Sequence, residues 1–382
     1  MIQGLPMKIM VVHDPYKPVV KGSVGGEDNL ADLEVSQLKS HGHNVLDFRI
    51  IDTGFTKKVN QLRAQSYGST SELLVAINSF NPDIIHTHNL NQRSGYKWMN
   101  AVRHPIVSSL HNYRIFCSSS IAWRNGEICT KCLEGSKFNA IRYGCGGAVG
   151  TINATRHLFW QKNEPQVVKP QLFLVASEIM KKTLEPIIPE NKMKILRNPS
   201  FEWSGVNADQ ERSGWLFAGR LVPEKGIIEL IENWPKDENL DIAGDGPLIN
   251  EIKLLITDKL NIRLIGTYPP GDNSIFTKYE GLMFPSSWLE GSPLVVIDSL
   301  STGTPVICTD QSAAKEQIEI TGGGVVIKGE LSKEKISNAQ ILIRKDFARF
   351  SELGFKAVKN DFSIKNWVIN LESYFTNVIS HK

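Results

Sequence analysis

Glu290 and Asp298 stand at the two ends of the run Glu290-Gly-Ser-Pro-Leu-Val-Val-Ile-Asp298, and most of what lies between them is apolar. A carboxylate set beside so much apolar surface needs a partner: an internal cation, backbone N–H groups, or the hydroxyls of a ligand. Earlier in the chain, Arg220 follows the apolar run Trp215 to Ala218, and Lys225-Gly226 opens a helical pattern from Ile227. Two cations and a helix start therefore converge at one strand end, which suits an anion such as a phosphate. Two such cations alone on a loop are usually just solvated. A second helix start shifts the balance, because Ser292 reads as an N-cap and Pro293 as the first helical residue, with Gly303 ending the helix. A diphosphate fits between the two starts. Glu290 and Asp298 cannot ligate phosphate, which leaves them to accept hydrogen bonds from hydroxyls, as on a sugar and a ribose.

Four of the five cysteines form a second constellation: Cys117, Cys129, Cys132 and Cys145 read C-x11-C-x2-C-x12-C. The central pair has the spacing of a zinc knuckle, and the outer two complete a four-thiolate set for a structural zinc. Structural zinc sites usually show two close pairs and this has one, so reduced thiols packed in an irregular insertion are the competing expectation.

The elements that must hold these residues alternate between strand and helix. Strand-like runs occur at Met7 to His13, His43 to Phe48, Asp83 to His86, Ile106 to Leu110 and Leu172 to Ala176, and the pattern restarts at Gly214 to Gly219 and Asn239 to Gly244. Alternation of this kind predicts parallel α/β layers. With 382 residues, 41% hydrophobic and 22% charged, the chain has length for two such domains, each with strand ends opening toward a shared cleft. The expected divisions are residues 1–200, carrying a cysteine-containing insertion at about 112–165, residues 201–360, and a C-terminal helix at 361–382 that packs back on the first domain. No apolar run reaches 18 residues and the start lacks a signal-peptide layout, so a cytoplasmic protein is expected. Charge is polarised. Residues 1–200 hold 24 Lys+Arg against 15 Asp+Glu, and residues 201–382 hold 19 against 25. Arg114, Arg124, Lys131, Lys137, Arg142, Arg156 and Lys162 are interleaved with Trp123, Tyr143, Phe159 and Trp160, a composition suited to an anionic membrane surface or simply to a solvated basic face. Nothing points to nucleic acid.

Taken jointly, G-R-L-V-x-E-K-G, A-G-D-G-P-L, P-S-S-W-x-E-G-S-P-L, an acid eight positions on, and G-T-P-V resemble the retaining GT-B glycosyltransferases of family GT4 in order and spacing. The first half agrees: Gly25-Gly26-Glu-Asp28 resembles the family's G-G-x-E loop, Pro82 to His88 its P-D-x-x-H-x-H strand, and Leu110-His111-Asn112 its L-H-[DN] stretch. The resemblance implies two Rossmann-like domains facing across a cleft, with the acceptor in the first and a nucleoside-diphosphate sugar in the second. It implies Arg220 and Lys225 on the diphosphate, with the backbone around Gly291, Ser292, Pro293 and Leu294 supporting it, Glu290 on the donor sugar, His111 beside the transferring sugar, and Gly25 and Gly26 where backbone approaches sugar and phosphate. Asp298 replaces the family's ribose-binding glutamate, one methylene shorter. No Asp-x-Asp occurs, so transfer with retention and without a catalytic metal is expected, leaving the possible zinc as purely structural. From the basic first half, the expected acceptor is a saccharide or a polyprenyl-pyrophosphate-linked one in cell-surface polysaccharide synthesis, with the enzyme peripheral at the inner face of the membrane. A nicotinamide-dependent oxidoreductase is the weaker alternative, because Gly244-x-Gly246 carries Ile249 where the dinucleotide fingerprint needs its last glycine. A sugar-nucleotide epimerase of GT-B build and a non-catalytic sugar-nucleotide-binding protein are the remaining rivals.

Overall fold

The computed structural model describes residues 5–13, 26–49, 71–89, 96–133, 138–145, 147, 164–200, 211–269 and 271–381. Gly25, Lys137, Arg156, Phe159, Trp160 and Lys162 lie outside the described residues. Strands of the first half are β1 (Lys8–His13), β2 (Asn44–Arg49), β3 (Ile84–His88), β4 (Ile106–Leu110), the short pair β5 (Trp123–Arg124) and β6 (Glu127–Ile128), β7 (Leu172–Val175) and β8 (Met193–Ile195). Those of the second half are β9 (Trp215–Ala218), β10 (Leu240–Ala243), β11 (Ile262–Gly266), β12 (Gly281–Phe284), β13 (Val306–Thr309) and β14 (Gly324–Ile327). They form two six-stranded sheets, β2-β1-β3-β4-β7-β8 and β11-β10-β9-β12-β13-β14, and every recorded pairing in them is parallel. Parallel sheets must be covered on both faces, and the central strands are accordingly apolar runs with every residue of β4, β7, β9, β10 and β12 buried.

Each sheet reverses its order once. In the second, β9 sits between β10 and β12, so the loops leaving their carboxyl ends diverge and open a crevice. Those loops carry Arg220, Gly244 and the Pro285 to Leu294 segment. In the first sheet β1 and β3 flank the reversal, and β3 and the adjacent β4 end at His88 and Leu110, just before His111. Topology alone thus brings the predicted residues to the strand ends where α/β sheets bind ligands.

The helix Ile364–Ser380 crosses to the first sheet, where Trp367, Val368, Leu371 and Phe375 join one core with Ile9, Val11, Leu30, Ile84 and Leu174. Its Tyr374 hydroxyl donates to the carbonyl of Ile195. Among the described residues no helix is long and apolar enough to cross a membrane.

Candidate active site

Lys225 owes its position to its neighbour. Gly226 adopts a left-handed φ of 69°, and a Cβ there would fall 2.2 Å from the carbonyl oxygen of Pro285. Only glycine permits that approach. It draws the turn at Pro223–Lys225 onto the segment after β12, where Ser287 N–H donates to the Glu224 carbonyl at 3.0 Å. Lys225 Nζ consequently meets Glu290 Oε1, which also accepts from Ser286 Oγ at 2.8 Å and Trp288 Nε1 at 2.9 Å. All three donors converge on one oxygen of a side chain that is 6% exposed. Oε2 is left without a protein donor among the described residues, as an acceptor for a ligand hydroxyl. Arg220 is freer: half-exposed, with Glu224 at 3.7 Å as its ion-pair partner. A ligand anion can recruit it without breaking a tight contact.

The helix after this segment runs Leu294–Ser301 and begins one residue later than the sequence suggests. Pro293 is the N-cap, with no side-chain capping bond, and Ser292 does not cap. The reason is a stronger partner, since Ser292 Oγ accepts from Gln317 Nε2 at 3.1 Å and the Ser292 carbonyl accepts from Asn198 Nδ2 at 2.9 Å. The uncapped amides at this helix start remain available to an anion. Asp298 lies one turn further on, with Oδ1 buried and unpartnered. Burial raises its pKa to about 7, and the Asn273 amide beside it offsets only part of that rise. The Tyr268 hydroxyl, just beyond β11, is held above its ordinary pKa by burial and then by the Asp298 charge.

The halves meet at Gly291. A Cβ on Gly291 would lie 3.2 Å from the His111 carbonyl oxygen and 3.6 Å from Ala176 Cβ, so the Glu290-Gly291 turn abuts the end of β4. His111 N–H donates to Asn89 Oδ1 at 3.1 Å, and its ring stacks on His88 with centroids 5.1 Å apart. Burial first, then the neighbouring His88 and His86, holds the His111 imidazole well below its ordinary pKa. The ring is therefore neutral near pH 7. Gly26 opens the helix Gly26–Ser40, while its predicted companion Gly25 is not described.

The sequence reading gave no role to the support beneath His111. His88 Nδ1 lies 2.9 Å from His111 Nε2, His88 Nε2 lies 2.9 Å from Glu34 Oε2, and Glu34 Oε1 lies 2.6 Å from His86 Nδ1. Glu34 was detectable, because Leu30, Glu34 and Leu38 are spaced by four and share one helix face. A lone acid on an otherwise apolar stripe was the signal.

The four cysteines are brought near one another without forming a metal site. Burial raises Cys132 to about 11, with Cys117, Cys145 and Cys129 adding to the rise. Among the described residues, the group of potential ligands whose donor atoms all lie within 4.8 Å is Glu34, His86 and His88; the thiols make no such group. A tetrahedral site with Zn–S bonds of about 2.3 Å needs sulfurs under about 4 Å apart. The structure does not support the zinc expectation. Cys132, with Cys117 and Cys145 at its margin, belongs to the apolar cluster that includes Phe116, Leu133 and Ala140. Close by, Arg124, Lys131 and Arg142 gather around the Tyr143 ring at 4.0, 5.0 and 5.6 Å from its centroid.

Residues 204–349 match the family described as Glycosyl transferases group 1. A glycosyltransferase of Bacillus subtilis strain 168 assigned to teichuronic acid biosynthesis, TuaC, is 37% identical over 109 residues, 28% of this chain and 26% of that one. The poly(glycerol-phosphate) alpha-glucosyltransferase of the same organism is 28% identical over 177 residues, 43% of this chain and 26% of that one. The matches span about a quarter to a third of the curated relatives' length. Among solved structures, Anabaena HepE in complex with UDP superposes with a TM-score of 0.66 at 14% identity, covering 97% of this chain and 100% of that one. Sucrose-phosphate synthase from Thermosynechococcus elongatus gives 0.70 at 13% identity, covering 98% and 100%. These likenesses fix the architecture as GT-B, two Rossmann-like domains with parallel sheets.

Proposed function

We propose that this chain, which carries a group 1 glycosyl transferase domain on a GT-B fold, transfers a sugar from a nucleoside-diphosphate sugar to a saccharide or lipid-linked acceptor with retention of configuration. The observation that carries the reading is the pairing of Lys225 with Glu290 Oε1 at the point where the second sheet reverses, with Oε2 free and the unpartnered Oδ1 of Asp298 in the first turns of the helix that follows. A diphosphate held by Arg220, Lys225 and the N–H groups of Gly291, Ser292 and Leu294 leaves Glu290 to the sugar and Asp298 to the ribose. In support, the HepE structure similar to this one holds UDP, and others of that protein hold UDP with glucose, or UDP-glucose.

In the proposed step the anomeric C–O bond to the leaving phosphate breaks and a C–O bond to the acceptor forms on the same face. The acceptor proton passes to an oxygen of the departing diphosphate. Arg220 and Lys225 stabilise the charge that develops there, the role a metal ion fills in enzymes that bind the diphosphate through Asp-x-Asp. No protein base is then required, which fits a neutral His111 placed to orient the sugar rather than to titrate. The relatives named for teichuronic acid and poly(glycerol phosphate) favour an anionic cell-surface polymer as the acceptor's destination. The cations around Tyr143 suit an acceptor bearing phosphate, or docking on an anionic bilayer. The deciding experiment offers purified protein a panel of nucleotide sugars and scores nucleoside diphosphate by mass spectrometry. Release that depends on an added saccharide or lipid-linked acceptor supports transfer. An epimerase would release diphosphate without acceptor, and a binding protein would release none.

A further inference from the structure

We propose that Glu34 is a positioning residue: acting through His88, it fixes His111 as the tautomer protonated on Nε2, so that Nδ1 meets the substrate as a hydrogen-bond acceptor. This rests on the reading that places His111 beside the transferring sugar, but the tautomer itself can be measured whether or not that reading holds.

The assignment follows from counting protons along one chain of contacts. Glu34, His86 and His88 are each at most 1% exposed, so no water shares their bonds. Burial pushes the Glu34 carboxyl up, and the charges and hydrogen bonds of His86 and His88 more than reverse this, holding it well below the usual carboxylate range. An ionised carboxylate only accepts. The ring nitrogens that face it, His86 Nδ1 at 2.6 Å and His88 Nε2 at 2.9 Å, must therefore both be N–H. With one proton on each ring, the carboxylate accepts from both. His86 Nε2 is then bare and accepts from Ser109 Oγ at 2.8 Å. His88 Nδ1 is likewise bare, and the one group offered to it is His111 Nε2 at 2.9 Å, which must donate. A neutral His111 with its proton on Nε2 has a bare Nδ1. That atom has no protein partner among the described residues. The groups acting on His111 electrostatically are His88, His86, Glu34 and His13, and the net of burial and these neighbours keeps it neutral.

The donor atoms of Glu34, His86 and His88 are also close enough for a metal ion. Their mutual contacts are already at hydrogen-bond length, so protons account for the geometry without one. The network's other side is closed by Phe375 of the C-terminal helix, whose ring meets His86 edge-on at 5.1 Å. The device also explains why an acid interrupts the apolar face of the first helix: an apolar residue there would leave two imidazoles free to take either tautomer. At the site, the consequence is polarity. His111 accepts from a sugar hydroxyl and cannot donate to one.

The test is a long-range proton–nitrogen correlation spectrum of the full chain labelled with nitrogen-15 histidine, recorded at pH 8, with His111 assigned by its loss in His111→Gln. The expected result is a protonated Nε2 and a bare Nδ1; a protonated Nδ1 overturns the proposal. Glu34→Leu, close in volume but without acceptors, should leave His111 as a mixture of tautomers, whereas an unchanged His111 would show that Glu34 does not set it. With a donor and acceptor that turn over, Glu34→Leu should lower kcat about 10- to 100-fold, as loss of an orienting partner does, with nucleoside diphosphate affinity kept within about twofold. A fall in both would mark a merely structural role. If no nucleotide sugar is turned over, the functional reading falls while the spectrum still decides the tautomer, and the wild-type spectrum decides even if Glu34→Leu does not fold.

Discussion

Replacing Asp298 with asparagine should make the empty protein more stable and its nucleotide complex weaker, and the first effect should depend on pH. Burial raises the Asp298 carboxyl from its ordinary 3.8 to about 7, and Oδ1 has no donor. Between these two values the folded state holds a proton that the unfolded chain releases, so stability falls as pH rises through that window and levels off above it. Asparagine has the same shape and does not titrate. Between pH 5 and pH 8 the wild type should therefore lose on the order of 2 to 3 kcal/mol relative to Asp298→Asn, roughly two pH steps at about 1.36 kcal/mol each, with the loss levelling off toward pH 8. Urea unfolding of both proteins at pH 5 and pH 8, followed by tryptophan fluorescence, measures the double difference and cancels every other titrating group. Isothermal titration with a nucleoside diphosphate at pH 8 supplies the second half. If ribose hydroxyls satisfy Oδ1, the variant should bind about tenfold more weakly, because a hydrogen bond to a charged group is worth about 1.5 to 3 kcal/mol. A stability gain of equal size at both pH values would mean that the carboxyl is not strained by burial. Unchanged nucleotide affinity would remove Asp298 from the donor site.

Arg220→Ala and Lys225→Ala should each cost about 2 to 4 kcal/mol in kcat/KM, since contacts to a leaving phosphate strengthen as charge develops; wild-type kinetics in both would end the phosphate assignment. Lys225→Ala should in addition destabilise the empty protein, because it leaves Glu290 buried without its cation, and a matched melt of Arg220→Ala should show no such loss. Glu290→Gln should depress turnover while leaving nucleoside diphosphate affinity intact, and a loss of that affinity would move Glu290 from the sugar to the nucleotide. Protein purified without added metal should contain less than about 0.2 zinc per chain by elemental analysis, and a stoichiometric content would show that the four thiols close into a tetrahedral site. Binding to anionic vesicles, by co-sedimentation, should be present at low salt and lost at high salt if the cations around Tyr143 dock on headgroups; salt-insensitive binding, or none, would count against it.

What the sequence made legible, and what it hid, divides by the range of the interaction. The strands at Lys8–His13 and Trp215–Ala218 are apolar runs bounded by turn residues, so their presence follows from local pattern, whereas their order in the sheets does not. Arg220, Lys225 and Glu290 stood out because a cation beside a glycine, or an acid beside an apolar run, is conspicuous without knowing what it touches. Ser292 misled for a complementary reason: as a serine before proline it has every local property of a cap, and only Gln317 and Asn198, remote in sequence, take its hydroxyl and carbonyl instead. Glu34 was hidden in the same way, since its partners lie 52 and 54 residues away on β3 and become partners only when the first helix packs across the sheet. The cysteines are the intermediate case. Their spacing brings four thiols into one insertion, yet whether they come within bonding reach of one ion depends on the hairpin β5–β6 and on the apolar cluster around Phe116 and Leu133, which no spacing rule contains. Contacts set by period and by chain neighbours can be derived before the structure, whereas a buried polar group's partner is settled by which of several distant donors the finished core leaves within 3 Å.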